Sequence, residues 1–189
     1  MNELVFPNIN IEKLTRWTGD VSPLECIGIK DETHNVKSFT FKSTKDAWFQ
    51  FYPGQHTTLF LKIDGNDVMR TYTIASSPTR PNTITITNKR MAKGVVTNWM
   101  HDSLKVGDCV DALDIGGSFS VALDKPKPKI LFLSGGSGIT PILSILKSSL
   151  KNLFNSLNHH LKYRSKKVIK KRFPKRNGIR RSYSFKKEQ

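Results

Sequence analysis

From residue 23 to residue 90, apolar and polar residues alternate with a period of two, which is typical of half-buried strands. Turn signals rich in Gly, Pro, Asn and Asp separate the alternating stretches, and DGND marks a hairpin. A further stretch, VGDCVDALDIGGSFSV, predicts two more strands. Short strands at this spacing indicate an antiparallel barrel or sandwich. The alternating stretches are LECIGIKDE, VKSFTFKS, FYPGQHTTLFLKI, VMRTYTIAS and TITITNKR.

A helix is predicted in the stretch GVVTNWMHDSLK, which interrupts the strands. Thr97 is the predicted N-cap, because a hydroxyl at that position can accept a hydrogen bond from an amide of the first turn. Trp99, Met100 and Leu104 occupy positions that can form a buried face.

A second helix is predicted near the end of the apolar part of the chain, in ILFLSGGSGITPILSILKSSL. Four apolar residues run into a Gly-rich turn, and such a continuous run suits a parallel strand buried on both faces. Pro141 fits the first turn of the helix that follows. The pattern predicts one strand–turn–helix unit of a nucleotide-binding α/β domain.

These patterns divide the chain into four segments. We expect an N-terminal extension over 1–20, a β-barrel domain over 21–124, the start of an α/β domain over 129–150 and a basic tail over 151–189. The Pro-containing stretch DKPKPK is the predicted linker between the two domains.

The basic charge of the chain belongs mostly to its tail. The whole chain has a formal charge of +16, and residues 151–189 hold 14 Lys or Arg with one acid, Glu188. Residues 1–150 are nearly balanced, so we do not expect the folded body to bind nucleic acid. The tail shows no sustained helical or strand period after Ser156, and we expect it to be disordered.

Cysteine and histidine usage offers no metal site. A disulfide between Cys26 and Cys109 is possible, but we expect two buried, reduced thiols of a cytoplasmic protein. No Cys/His cluster has the spacing of metal ligands. His56 and His101 are interpreted as structural or surface groups. The chain holds no apolar run long enough to span a membrane and no signal peptide pattern.

One strand carries a candidate ligand site. Arg70 and Tyr72 are two residues apart and face the same side, whereas Thr73 points the other way unless the strand bulges. A guanidinium beside a ring can serve a ligand with a planar apolar part and an anionic part, such as a flavin dinucleotide. An exposed Arg beside a half-buried Tyr also occurs on ordinary sheets, so the spacing alone leaves both interpretations open.

Two glycine-containing turns open helices and can hold phosphate. In KGVVTNW, a glycine precedes a helix whose first amides are free to bind an anion. In SGGSGITP, glycines follow an apolar strand and open a helix, which suits a nucleotide turn but is not a Walker motif. An ordinary capped helix is the alternative for the first turn. The candidate residues of the two turns are Gly94, Val95, Val96, Thr97, Gly135, Gly136, Gly138 and Thr140.

The motifs RTYT, GVVT and GGSGITP occur in this order, and the chain from Leu24 to Leu150 resembles the ferredoxin–NADP reductase family. Its nearest likeness is to NADH-dependent reductases that serve hybrid-cluster proteins or oxygenases. The resemblance implies a mainly β fold: a six-stranded antiparallel Greek-key barrel that binds FAD, followed by a nicotinamide-binding α/β domain.

The resemblance also implies residue roles. Arg70 would contact the FAD pyrophosphate and Tyr72 would pack on the isoalloxazine. Thr73, near flavin N5, and Thr140, where nicotinamide meets flavin, would be the catalytic positions. The full set of implied cofactor-binding residues is Arg70, Thr71, Tyr72, Thr73, Asn88, Lys89, Gly94, Val95, Val96, Thr97, Gly135, Gly136, Gly138 and Thr140.

The implied reaction is hydride transfer from NAD(P)H to FAD, followed by electron transfer to an iron–sulfur or hybrid-cluster protein. The resemblance stops after Leu150, and a full nicotinamide domain needs roughly a hundred more residues. We therefore expect impaired NAD(P)H binding in this chain. The alternative function is a non-catalytic basic protein whose tail binds nucleic acid or anionic surfaces. The near-neutral body favours the oxidoreductase interpretation.

Overall fold

The computed structural model describes residues 15–17, 21–120, 131–160 and 183–184, with side chains as far as residue 149. In these described residues the α-helices are α1 (Val95–Asp102) and α2 (Ile139–His160), and a 3-10 turn covers Gly136–Gly138. The strands are β1 (Thr15–Arg16), β2 (Ser22–Thr33), β3 (Val36–Ser43), β4 (Ala47–Trp48), β5 (His56–Ile63), β6 (Asn66–Thr73), β7 (Ile84–Lys89), β8 (Cys109–Ala112), β9 (Leu131–Phe132) and β10 (Tyr183–Ser184).

Six strands form one antiparallel sheet in the order β6-β5-β8-β2-β3-β7. The two edge strands are linked where Ile74, just after β6, pairs with Ile86 of β7. Beside this bridge, the amide of Ala75 donates to the carbonyl oxygen of Thr85 at 2.8 Å. The sheet therefore curls round until its edges touch, and the prediction of a mainly β fold with six antiparallel strands is confirmed.

The period of two in the sequence appears as alternating burial in the strands. On β5, Leu59, Leu61 and Ile63 are buried, while the residues between them face outwards. The β5–β6 hairpin turns at Asp64 and Gly65, whose φ angles of 50° and 80° are those of a two-residue type I′ turn. The core inside the sheet includes Leu24, Cys26, Phe39, Phe41, Phe49, Leu59, Ile84, Ile86 and Met100.

The segment before β2 packs on this core. β1 pairs with β4, and Trp17 is buried with its ring centroid 5.4 Å from that of Phe49. The barrel unit therefore includes Trp17, ahead of the predicted boundary at residue 21.

Three expectations for the barrel need correction. Only one strand, β8, lies within the stretch that predicted two, because Gly116 forms a single bridge to His56 and no ladder. α1 begins after Gly94, and Thr97 lies within its first turn instead of capping it. Cys109 is exposed because it faces outwards on β8, whereas Cys26 is buried as predicted; both thiols are free.

The strand predicted to be buried on both faces is short and exposed. Leu131 and Leu133 are 64% and 74% exposed, because β9 pairs only with β10 in the part of the chain that the structure describes. No parallel neighbour covers it there. Pro141 lies in the first turn of α2, as predicted.

The tail prediction was wrong for residues 151–160. α2 continues to His160, because Leu150, Leu153, Phe154 and Leu157 keep the apolar spacing of a helix that the excess of positive charge obscured. The backbone of β10 pairs with β9. The linker at 124–129 and the rest of the tail, on which the alternative function depends, lie outside the described residues. Among the described helices, none combines the length and apolar character needed to cross a membrane.

Candidate functional site

The two edge strands of the sheet diverge from a single bridge. Ile74 pairs with Ile86, and among the described residues no ladder pair joins β6 to β7 on the far side of that bridge. Since the pairing is antiparallel, the backbone edges of β6 towards Arg70 and of β7 towards Lys89 face each other without a ladder between them, and this unpaired stretch is called the opening below. This opening, between β6 and β7, brings together candidate residues that are far apart in the sequence.

The backbone along β6 presents free donors to the opening. Ile74 donates its amide to Gln55 O at 2.9 Å, so this is a hydrogen-bonded pair across the β5–β6 ladder. Such pairs alternate with pairs that are not hydrogen-bonded, so the amides of Thr71 and Thr73 point away from β5. Beyond the Ile74–Ile86 bridge, no described strand pairs with this edge of β6. A ligand in the opening can therefore accept hydrogen bonds from this edge.

Arg70 lies at the same free edge. Its Nη1 donates to the carbonyl oxygen of Met69 at 2.7 Å, and the side chain is exposed. By the same alternation, Met69 O points away from β5, so the guanidinium lies along the open side of β6. No carboxylate pairs with Arg70 among the described residues. Its charge is available to an anionic group.

Tyr72 shares a face with Arg70, as the sequence predicted. The ring is half-buried, packs against the core and lies opposite Thr57 in the ladder. Burial raises the pKa of Tyr72, and the charge of Arg70 lowers it by a smaller amount. The phenol therefore stays protonated at neutral pH, and the ring is only partly covered by the core.

The side chains of Thr71 and Thr73 lie on the opposite face. Thr71 shares a hydroxyl hydrogen bond of 2.7 Å with Thr58, and Thr73 lies opposite His56. The β5–β6 register has no bulge, so the hydroxyl of Thr73 is not turned towards the face of Tyr72. The backbone amide of Thr73 is the group that this strand offers at the opening.

The first turn of α1 follows β7 on the open side. Its amides have no intrahelical partners, and no side chain caps them. Gly94 is closely packed: a Cβ there would lie 2.9 Å from Met91 Cβ and would collide with the Thr97 hydroxyl. That hydroxyl accepts from Met91 N and donates to Gly94 O, each at 3.3 Å. The turn is therefore fixed in shape while its amides stay free for an anion.

A buried contact that the sequence did not reveal holds α1 against β7. The side-chain oxygen of Asn88 accepts a hydrogen bond of 2.9 Å from His101 Nε2, and its Nδ2 donates to Met100 Sδ at 3.0 Å. The amide side chain of Asn88 is thus engaged with the helix, whereas the neighbouring Lys89 is exposed. Burial lowers the pKa of His101, which favours the neutral ring.

An ion pair at the surface also holds α1 against the end of β7. Arg90 forms a forked contact with the carboxylate of Asp102, which lowers the pKa of Asp102. The C-terminal half of α1 is therefore tied to the end of β7, which positions its N-terminal turn. Sequence spacing gave no signal for either contact, since the partners are 12 to 13 residues apart on different elements.

The Gly-rich turn before α2 has free space around two of its glycines. A Cβ added at Gly135 or Gly136 would meet no atom within 4 Å, and Gly136 has a φ of 56°. A Cβ at Gly138 would make an ordinary contact with Ser134. Thr140 is buried and donates its hydroxyl to Ser137 O at 2.9 Å, so its side chain stabilises the turn.

The sequence profile of one family, described as "Oxidoreductase FAD-binding domain", matches residues 23–120. The chain belongs to this family. The opening fits such a cofactor: FAD has a planar isoalloxazine, for which Tyr72 offers a ring, and a pyrophosphate, for which Arg70 and the α1 amides offer positive charge and donors. The family resemblance inferred from the motifs is confirmed.

Curated proteins that resemble the chain include reductase subunits and flavohemoproteins. The chain is 44% identical over 131 residues to the glycine betaine monooxygenase reductase subunit of Pseudomonas aeruginosa, covering 69% of this chain and 36% of that protein. It is 42% identical over 134 residues to the stachydrine N-demethylase reductase subunit of Rhizobium meliloti, covering 71% of this chain and 37% of that protein. The chain thus spans little more than a third of these relatives' length.

Solved structures show the same fold. The flavohem-like FAD/NAD binding domain of nitric oxide dioxygenase from Vibrio cholerae superposes with a TM-score of 0.62 at 23% identity, covering 70% of this chain and 58% of that one. At this identity the likeness establishes the fold, and it agrees with a FAD-binding oxidoreductase domain that is mainly β.

Proposed function

We propose that the chain binds FAD in the opening between β6 and β7 and is the flavin-binding part of an oxygenase reductase. The observation that carries the proposal is the convergence of Arg70, Tyr72, the free amides of β6 and the first turn of α1 on one side of the sheet. The names of the curated relatives support the oxygenase class of partner.

Each group at the opening has a distinct part in binding. Arg70 and the amides from Val95 to Thr97 bind the pyrophosphate, because both direct positive charge or N–H groups at an anion. Tyr72 packs on the isoalloxazine and excludes water from one face. The amide of Thr73 donates to the polar edge of the ring system near N5.

The cofactor supplies hydride acceptance and single-electron release, and the protein supplies its position and surroundings. We infer that NAD(P)H is the electron donor and that an iron–sulfur protein of the oxygenase system is the acceptor. In this proposal the turn from Gly135 to Gly138 and the residue Thr140 lie on the nicotinamide side. Asn88 contributes by positioning α1, since its side chain is already bonded to His101. The exposed Lys89 adds positive charge at the mouth of the opening.

The test is the visible spectrum of the purified full chain. We expect a bound flavin, identified as FAD by its release on heating and by chromatography. Anaerobic addition of NADH or NADPH, with dithionite as the chemical control, then measures which donor bleaches the flavin absorbance. A protein whose bound flavin is FMN alone would contradict the assignment of the pyrophosphate contacts.

A further inference from the structure

Helix α2 is docked on the segment that follows β6. This segment, Ala75 to Ser77, is called the junction below. Ser144 Oγ donates to Ser76 O at 2.6 Å, and Lys147 Nζ donates to Ala75 O at 3.0 Å. One turn further along α2, Ser148 Oγ shares a hydrogen bond of 3.1 Å with Ser77 Oγ. Three successive junction residues are therefore held by one face of the helix.

Strand β7 holds the junction from the other side. The amide of Ala75 donates to Thr85 O at 2.8 Å, and the amide of Thr85 donates to Ser76 Oγ at 3.1 Å. Ser76 is thus bonded to α2 through its carbonyl and to β7 through its hydroxyl. Because the residue just before the junction is Ile74, these contacts lie at the point where β6 and β7 diverge.

The docking contacts are embedded in an apolar interface. Ser144 is 0% exposed and Ser148 is buried, next to the buried Ile142 and Ile145. A buried carbonyl that loses its donor costs more free energy than an exposed one, because water cannot replace the lost bond. The position of the junction is therefore coupled to the position of α2.

Lys147 adds a charged donor at the rim of this interface. The residue is exposed as a whole, yet neighbouring atoms partly desolvate its ammonium and lower the pKa of Lys147. The carboxylate of Glu32 lies near enough to oppose that lowering. The ammonium thus fixes Ala75 O from the solvent side of the helix.

We propose that Ser144, Lys147 and Ser148 are positioning residues for FAD. Through these residues, α2 helps to hold the FAD-binding groups in place. By fixing the junction against β7, they set the angle at which β6 leaves the Ile74–Ile86 bridge. That angle determines where Tyr72 and the amide of Thr73 lie relative to the first turn of α1. The inference rests on the proposed FAD site, and it assigns to α2 a role beyond the nicotinamide side.

The test compares single variants of the full chain. Lys147→Met keeps the stem and removes the ammonium, Ser144→Ala removes the buried donor, and Ser149→Ala is the matched control because Ser149 is exposed on the same helix. For each variant, FAD dissociation constants and the flavin visible circular dichroism are measured at a temperature where circular dichroism in the far ultraviolet shows it to be folded.

We expect Ser144→Ala and Lys147→Met each to raise the FAD dissociation constant about two- to tenfold, as the loss of one hydrogen bond implies. The flavin circular dichroism should change with it, and Ser149→Ala should match the wild type. Lower melting temperatures with unchanged dissociation constants and spectra would overturn the inference and leave α2 a purely structural element. A wild-type chain that fails to bind FAD would instead overturn the proposed function, and this inference with it.

Discussion

Among the described residues, Ile74 and Ile86 form the single bridge that joins the two edges of the sheet, and both side chains are fully buried. The bridge closes the sheet at one end and lets it open at the other. Every candidate group for FAD on β6 lies within four residues of Ile74 in the sequence. The position of the proposed site on β6 is thus a consequence of where the sheet stops pairing with itself.

Replacing Arg70 should weaken FAD binding. Arg70→Ala removes one charge-assisted contact to the pyrophosphate, which is worth about 1.5–3 kcal/mol, or about ten- to 150-fold in the dissociation constant. Quenching of FAD fluorescence during titration measures the change. Arg70→Lys keeps the charge but loses the fork of donors, so it should fall between wild type and Arg70→Ala.

The control for Arg70 is Lys62→Ala, which removes an exposed positive charge from β5 on the other face of the sheet. It should leave FAD affinity within twofold of the wild type, about 0.4 kcal/mol. Equal weakening by Lys62→Ala and Arg70→Ala would show that the overall charge of the protein attracts FAD and that Arg70 makes no specific contact.

Gly94 should be intolerant of a side chain. In Gly94→Ala, the new Cβ meets Met91 Cβ at 2.9 Å and the Thr97 hydroxyl, so the turn must open before α1 begins. We expect loss of FAD affinity that exceeds any loss of stability. The control is Gly28→Ala, whose Cβ would make an ordinary contact with Thr40 at 3.9 Å. Normal FAD binding by Gly94→Ala would remove the first turn of α1 from the site.

The sequence predicted the local parts of this arrangement well. Alternation predicted β3 and the strand of Arg70 and Tyr72, and Gly94 indicated where α1 begins, although the predicted N-cap Thr97 lies within its first turn. These features depend on residues that are close together in the sequence. The apolar period and the turn residues that cause them can therefore be identified from the sequence alone.

The long-range parts could not be predicted. The contacts of Asn88 with His101 and of Ser144 with Ser76 join elements whose relative positions depend on the whole sheet. The sequence predicted a basic tail from residue 151, because the excess of positive charge there obscures the apolar spacing with which α2 continues to His160. Leu133 was expected to be buried inside a parallel sheet, but it is exposed. Burial of a strand residue depends on the neighbouring strands, which the strand's own sequence does not reveal.

Removing the Asn88 side chain should destabilise the FAD-free protein. Asn88→Ala leaves the buried ring nitrogen of His101 without its partner, at a cost of about 1–3 kcal/mol in the free energy of unfolding. Urea denaturation followed by tryptophan fluorescence measures this change. Lys89→Ala alters the adjacent exposed residue and should have little effect, so equal losses in the two variants would contradict the role given to the Asn88–His101 contact.

Stability should fall on mild acidification through His101. Burial lowers its pKa in the folded state, and the charges of Arg90 and Lys37 act in the same direction, while the hydrogen bond with Asn88 and the charge of Asp102 oppose them. The unfolded protein therefore binds the proton first as pH falls. The contribution of neutral His101 is complete above its unfolded pKa of about 6.5 and is lost as pH falls through the lower folded value.

The measurement is the free energy of unfolding between about pH 7.5 and pH 5.5, above the range where ordinary carboxylates titrate. The wild type should lose more stability over this interval than His101→Gln. His34→Gln is the matched control, since His34 is exposed in the β2–β3 turn, and it should keep the wild-type slope. An identical slope in His101→Gln and wild type would place the pH dependence elsewhere.

The central claim is that the opening between β6 and β7 binds FAD, and an equilibrium titration of the flavin-free full chain with FAD tests it most directly. The account predicts saturable binding at one site per chain, with the flavin spectrum perturbed and affinity weakened by Arg70→Ala. Failure of the folded protein to bind FAD, or binding that Arg70→Ala and Gly94→Ala both leave unchanged, would contradict it.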